Sequence, residues 1–196
     1  MLKERLTAFS DGVIAIIITI MVLELKPPHG DTLRALAPLA PTFLAYALSF
    51  AYIAIYWNNH HHLFQATRRV SGGILWANTH LLFWLSLVPF STAWLSETNF
   101  ARAPVAVYGL GLLAPAIAYF ILSRALIRTE ALTPKVAERI GPDLKGLISM
   151  AFYICGVALA FAEPHVSMGI YALVAVIWFI PDPRIEQRLE VEDEPD

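Results

Sequence analysis

Charge is scarce in this chain. Asp, Glu, Lys and Arg make up 15% of its 196 residues and apolar residues 57%, against roughly 25% and 45–50% in an ordinary soluble domain. Cysteine occurs once, at Cys155, which excludes an intrachain disulfide and any cysteine-rich metal site. Its place inside an apolar segment suits a buried apolar role. No basic stripe accompanies the formal net charge of −2, so no nucleic-acid partner is expected. A GxxxG pair, the simplest signal of helix dimerisation, is missing. So are the His-Glu-x-x-His and Glu-x-x-His spacings, and neither a cofactor nor a fixed metal site is expected.

What the chain has instead is greasy blocks, near 12–25, 37–57, 74–95, 104–122, 147–162 and 166–180, separated by short polar connections. Each approaches, with its flanks, the roughly 20 residues a helix needs to cross hydrocarbon. The expected fold is an all-α membrane protein with six transmembrane helices in one domain, residues 1–181, followed by an acidic cytoplasmic tail, 182–196. Gly156, Glu163, Pro164 and Gly169 leave the last two spans readable as one hairpin or two shorter helices. The first apolar stretch is too long for a signal-peptide core and lacks a small-residue cleavage pattern, so it is expected to be retained.

Basic residues give an orientation. With the N-terminus inside, the inner segments hold Lys3, Arg5, Arg68, Arg69, Arg124, Arg128, Lys135, Arg139, Lys145, Arg184 and Arg188, and the outer ones only Lys26, Arg34 and Arg102. Both termini are therefore expected in the cytoplasm, with the lipid bilayer of a prokaryotic plasma (inner) membrane as the solvent. Pro27-Pro28 stops the first helix near Lys26. The second is expected from about Pro38 to Thr67 and the third from about Val70 to Leu95, in a tight inner hairpin. A fourth runs from Pro104 to about Arg128. The mixed-charge loop 129–143 is expected to hold a short amphipathic interfacial helix.

The first helix carries the strongest signal. Asp11 lies inside its apolar run, and a carboxylate there is costly unless it meets protein, a partner charge or water. At 3.6 residues per turn, Arg5, Phe9, Gly12, Ile16, Thr19 and Leu23 fall on one seam with Ile20 beside it. Spacings of four and three are those of a helix packing about an axis with copies of itself, and equally those of an ordinary packing stripe.

Arg5-x-x-x-Phe9-Ser10-Asp11, the following Gly12-Val13-Ile14-Ala15-Ile16-Ile17-Ile18-Thr19 and Leu23-Glu24-Leu25 resemble the first-helix signature of bacterial homologues of the lysosomal potassium channel, transmembrane protein 175. Trp57, His60-His61-His62 with Phe64, Trp76-x-Asn78 and Pro89-Phe90 extend the resemblance over the first half of the chain; beyond the third span only helix count and length support it. The resemblance implies a homotetramer in which four first helices line a pore conducting K+ ions. It implies a hydrophobic gate at Ile16, further apolar rings at Ile20 and Leu23, and a selectivity role for Thr19 together with Ile16. No TVGYG-like filter is present, so selectivity for potassium over sodium is expected to be modest.

Ser10 and Asp11 point away from the seam, toward a supporting polar network whose candidate members are Arg5, Trp57, Asn58, His60, His61 and Asn78. Ion coordination or proton relay by Asp11 are the other readings. Four copies of Glu24 would draw cations to the outer mouth; the alternative is a headgroup-level pair with Lys26. Three consecutive histidines cannot aim at one ion from one helix, which favours a polar, pH-sensitive cluster over a metal site. The competing function is a proton-coupled ion transporter using Asp11 and the histidines. An intramembrane enzyme lacks a nucleophile–base pair, and a non-conducting membrane scaffold is the remaining alternative.

Overall fold

The computed structural model of the chain describes residues 3–132 and 143–179. The expected interfacial helix of the 129–143 loop falls largely, and the acidic tail wholly, outside the described residues. Among the described residues seven α-helices follow in order: α1 Lys3–Leu23, α2 Ala40–Gln65, α3 Gly72–Ser86, α4 Val88–Glu97, α5 Arg102–Arg128, α6 Leu144–Leu159 and α7 Pro164–Phe179.

Proline sets most of the departures from the expected boundaries. The segment ahead of α2 is a 3-10 turn, Leu33–Leu39, containing Pro38, and α2 begins only at Ala40 with Pro41 in its first turn. Proline's missing N–H and the restriction on its predecessor make such a start natural. The third span is two helices in tandem. Pro89 cannot donate to the carbonyl four residues back, so the ladder breaks at Leu87 between α3 and α4. Over Gly72–Glu97 the pair still forms one 26-residue apolar span. The α2–α3 connection is wider than Arg68-Arg69 alone: α2 ends at Gln65, and Ser71 caps α3 by accepting from the Ile74 N–H.

Among the described residues four helical stretches, Lys3–Leu23, Leu33–Gln65, Gly72–Glu97 and Arg102–Arg128, are long and apolar enough to cross a membrane. The last two segments are a hairpin of 16-residue helices turning at Ala160–Glu163. Each is about 24 Å long, short of the roughly 30 Å of hydrocarbon. Lys3 Nζ donates to the Gln65 carbonyl, and Thr67 pairs with Leu132 through the Arg68 N–H to Ala131 O bond of 2.7 Å. These contacts bring the start of α1, the α2–α3 connection and the end of α5 to one end of the bundle. Arg68, Arg69, Arg124 and Arg128 belong to that same end.

Packing divides into two clusters. One joins α1, α2, α3 and the end of α5 through Leu6, Ile14, Ile17, Met21, Ile53, Phe64, Leu81 and Leu122. The other joins α2, α4, α5, α6 and α7 through Ala45, Tyr52, Leu95, Tyr108, Tyr153, Tyr171 and Val174. Lipid is as apolar as these side chains, so close fit and small residues hold helices together here. The Tyr171 ring fits between Gly109 of α5 and Gly156 of α6, where a Cβ on either would collide with it.

Candidate functional site: the outer flank of the first helix

Helix α1 has two unlike faces. Leu6, Ser10, Ile14, Ile17 and Met21, at spacings of four and three, are buried against α2 and α3. On the other side Arg5, Phe9, Gly12, Ile16, Thr19, Ile20 and Leu23 are all exposed. Ile16 keeps 58% and Leu23 76% of its surface. The seam drawn from helical spacing thus lies on the exposed face of α1. A Cβ added at Gly12 would have nothing within 4 Å, so packing within the chain does not explain a glycine in mid-helix, where it costs roughly 1 kcal/mol relative to alanine.

Hydrogen bonds inside the helix bundle fix which face is which. His60 Nε2 donates to Asn78 Oδ1 at 2.8 Å, Asn78 Nδ2 donates to Ser10 Oγ at 2.9 Å, and Ser10 Oγ donates to the Leu6 carbonyl at 2.9 Å. Ser10, His60 and Asn78 are each 2% exposed or less. One chain of donors therefore ties α1 to α2 and α3, and each of its members would be costly to leave unpaired in this setting. Because Asn78 spends its carbonyl on the histidine, the His60 proton resides on Nε2. The His60 ring also packs on Phe64, centroids 4.5 Å apart.

Beside this lock lies a second, exposed one. Trp57 Nε1 donates to Asp11 Oδ1 at 3.0 Å, and the Trp57 ring stacks on His61 at 5.7 Å. His61 Nε2 in turn accepts from Gln65 Nε2 at 2.8 Å. The intramembrane carboxylate thus meets a neutral indole. Arg5, a candidate partner for Asp11, forms no ion pair with it among the described residues, and Asn58 is exposed outside the network. The three histidines diverge: His60 toward Asn78, His61 toward Gln65, and His62 with its Nδ1 buried and unpartnered among the described residues. No group of three metal-ligating side chains converges among the described residues. Gln65 was not among the candidate residues, although its spacing of four from His61 on one helix is the readable signal.

Near the far end of α1, the Thr19 hydroxyl donates to the Ile16 carbonyl at 2.9 Å. Its lone pairs are left facing outward on the exposed flank. Glu24 follows the helix's last residue and is exposed.

Comparison with known proteins gives a consistent result. The family model described as endosomal/lysosomal potassium channel TMEM175 matches residues 5–89. A potassium channel of Chryseobacterium sp. is 56% identical over 190 residues, covering 97% of this chain and 99% of its own. Human endosomal/lysosomal proton channel TMEM175 is 30% identical over 198 residues, covering 89% of this chain but 39% of the human protein. Among solved structures, the crystal structure of a lysosomal potassium-selective channel TMEM175 homologue from Chamaesiphon minutus superposes with a TM-score of 0.78 at 32% identity. That match covers 91% of this chain and 96% of the other.

Proposed function

Because the chain belongs to the endosomal/lysosomal potassium channel TMEM175 family, we propose that it is a potassium channel of a bacterial inner membrane, a homotetramer whose four α1 helices line a central pore. The observation that carries this reading is the exposure of Phe9, Gly12, Ile16, Thr19, Ile20 and Leu23 on a helix whose opposite face is locked by Ser10. A second copy of α1 is the partner whose shape that seam fits, and Gly12 leaves room for close approach. Positive-inside bias supports cytoplasmic termini.

Apolar side chains at Ile16, with Ile20 and Leu23 beyond, constrict the pore and dry it. Conduction is then governed by the cost of stripping water from the ion. Potassium holds its shell less tightly than sodium, so it passes at lower cost. The Thr19 hydroxyl has already given its hydrogen to the backbone, and its oxygen is available to replace a lost water. The Glu24 carboxylates concentrate cations at the outer mouth.

The transporter reading is weaker on the geometry. The His60–Asn78–Ser10 chain terminates on the Leu6 carbonyl, which has no proton to pass on. Reconstitution into liposomes with potassium-flux measurement, comparing wild type with Ile16→Asn, tests the channel. A polar side chain at the constriction wets it, and flux rises with loss of selectivity. Unchanged flux in the variant of a conducting wild type would place the conduit elsewhere. Flux that saturates at low turnover and stops without a proton gradient would favour the transporter.

A further inference from the structure

We propose that neighbouring copies of the chain join through unlike edges, the α1 flank of one receiving the α3 edge of the next. Ala8, Asp11 and Ala15 form the flank and Trp76, His80 and Phe83 the edge, and the His80 ring of one copy donates to the Asp11 carboxylate of its neighbour. The contact deepens the homotetramer reading, on which it rests, by supplying Asp11 with a partner from outside its own chain.

All six residues are exposed, and Trp76 keeps 78% and Phe83 54% of its surface. Depth matches them. Helices α1 and α3 start at the same end of the bundle, and the Asn78-to-Ser10 bond sets those two positions level. With equal rise along both helices, Trp76 stands level with Ala8, Phe83 with Ala15, and His80 one residue beyond Asp11. Rotation about the membrane normal leaves each residue at its own depth, so the same levels hold between copies of a ring. At these levels α1 is small, polar, small, and α3 is large, polar, large. Alanines let a neighbouring helix approach closely, and the two aromatic rings fill the room they leave.

The polar members complement each other. Trp57 Nε1 donates to Asp11 Oδ1, and the other carboxylate oxygen has no donor among the described residues. His80 Nε2 accepts from Trp84 Nε1 at 2.8 Å, which places the proton of the neutral imidazole on Nδ1. That N–H has no acceptor among the described residues. A carboxylate short of a donor and an N–H short of an acceptor, both inside apolar spans, are costly against hydrocarbon. Brought together they satisfy each other, whereas a lipid acyl chain offers neither group. The flank lies about a quarter turn from the Ile16 seam, so α3 seats there without entering the pore. Contacts between unlike surfaces repeat around a ring, while a self-matching contact stops at a dimer.

The test uses the full chain carrying Cys155→Ala, which removes the exposed native thiol. Ala15→Cys and Phe83→Cys are introduced singly and together, and the protein is oxidised in the membrane with copper phenanthroline. Disulfides need Cα atoms within about 7 Å. The double variant is expected to give a reducible ladder of linked copies on non-reducing gels, and each single variant roughly tenfold less. A ladder as strong from either single variant overturns the unlike-edge contact. Absence of a ladder from a double variant that elutes as an assembled species overturns it while leaving the pore reading intact; elution of the wild type as a monomer sinks both. A ladder that ends at a number other than four supports the contact and removes only the tetramer. Heat dissociation of the assembled species then reads the polar bond. Asp11→Asn and His80→Phe should each lower its midpoint, and the two together should lower it by less than their sum. Fully additive losses overturn the His80–Asp11 bond.

Discussion

The two halves of the bundle present opposite surfaces to whatever surrounds the chain. Between their ends, α1, α2 and α3 leave Asp11, Thr19, Asn58, His61, Thr79 and His80 exposed. The exposed positions of α5 from Ala103 to Ile121 are all apolar, as are those of α6 and those of α7 beyond His165 in its first turn. Hydrocarbon tolerates the second surface and penalises the first. The α5–α7 side is therefore a lipid face, and the α1–α3 side requires water or protein against it. Buried hydrogen bonds cross between helices in both halves. His60, Asn78 and Ser10 register α1 on α2 and α3, while Ser49 of α2 bonds Thr92 of α4 and Tyr108 of α5, and Tyr52 of α2 donates to the Tyr171 carbonyl of α7. The halves differ in what they expose and not in how they are held.

Asn78→Ala strikes the polar lock and should have the largest effect. It strands the His60 N–H, removes the donor to Ser10 and opens a small void, a loss of roughly 2–4 kcal/mol. Thermal unfolding in detergent, read by loss of the assembled species in size-exclusion chromatography, checks it. A normal melting temperature would mean that the Ser10–Asn78–His60 chain is dispensable. Next comes a paired substitution across the comparison. Ile117→Asn, on the lipid side, should destabilise by about 1–3 kcal/mol and leave conductance alone. Ile16→Asn should raise conductance while the protein stays assembled. If both substitutions alter stability alike, the two surfaces are not chemically distinct.

Trp57→Phe keeps the ring that packs on His61 and removes only the donor to Asp11. A stability loss of about 1 kcal/mol is expected, with the larger consequence in open probability, because the bond spans α1 and α2. Single-channel recording separates a shorter open time, as expected, from an altered unitary conductance, which would assign Asp11 to the permeation path.

The same contrast explains what the sequence could and could not reveal. Apolar blocks gave the helix order, and helical spacing drew the Arg5–Leu23 seam, because both depend on local patterning; spacing alone did not tell a packed stripe from an exposed one, since the buried face of α1 repeats at the same intervals. The break at Leu87 was readable in principle from Pro89, yet a continuous apolar run masks it. The partners of Asp11 and Ser10 could not be chosen from spacing, since Trp57 is 46 and Asn78 68 residues away. Only the crossing of α1 with α2 and α3 selects the indole over Arg5 and excludes Asn58.

Thr19→Val should produce the smallest effect and the most diagnostic one. Valine matches threonine in shape and keeps the exposed flank β-branched, so assembly and stability should be unaffected. What disappears is the oxygen whose lone pairs face outward once its hydrogen is bonded to the Ile16 carbonyl. If the apolar ring does the discriminating by dehydration, and the hydroxyl merely compensates potassium, the variant still conducts with potassium-over-sodium preference reduced by a few fold. Reversal potentials under bi-ionic conditions measure this directly. An unchanged ratio would leave Ile16 as the source of selectivity, whereas complete loss would make the hydroxyl ring the filter and the isoleucine only a gate.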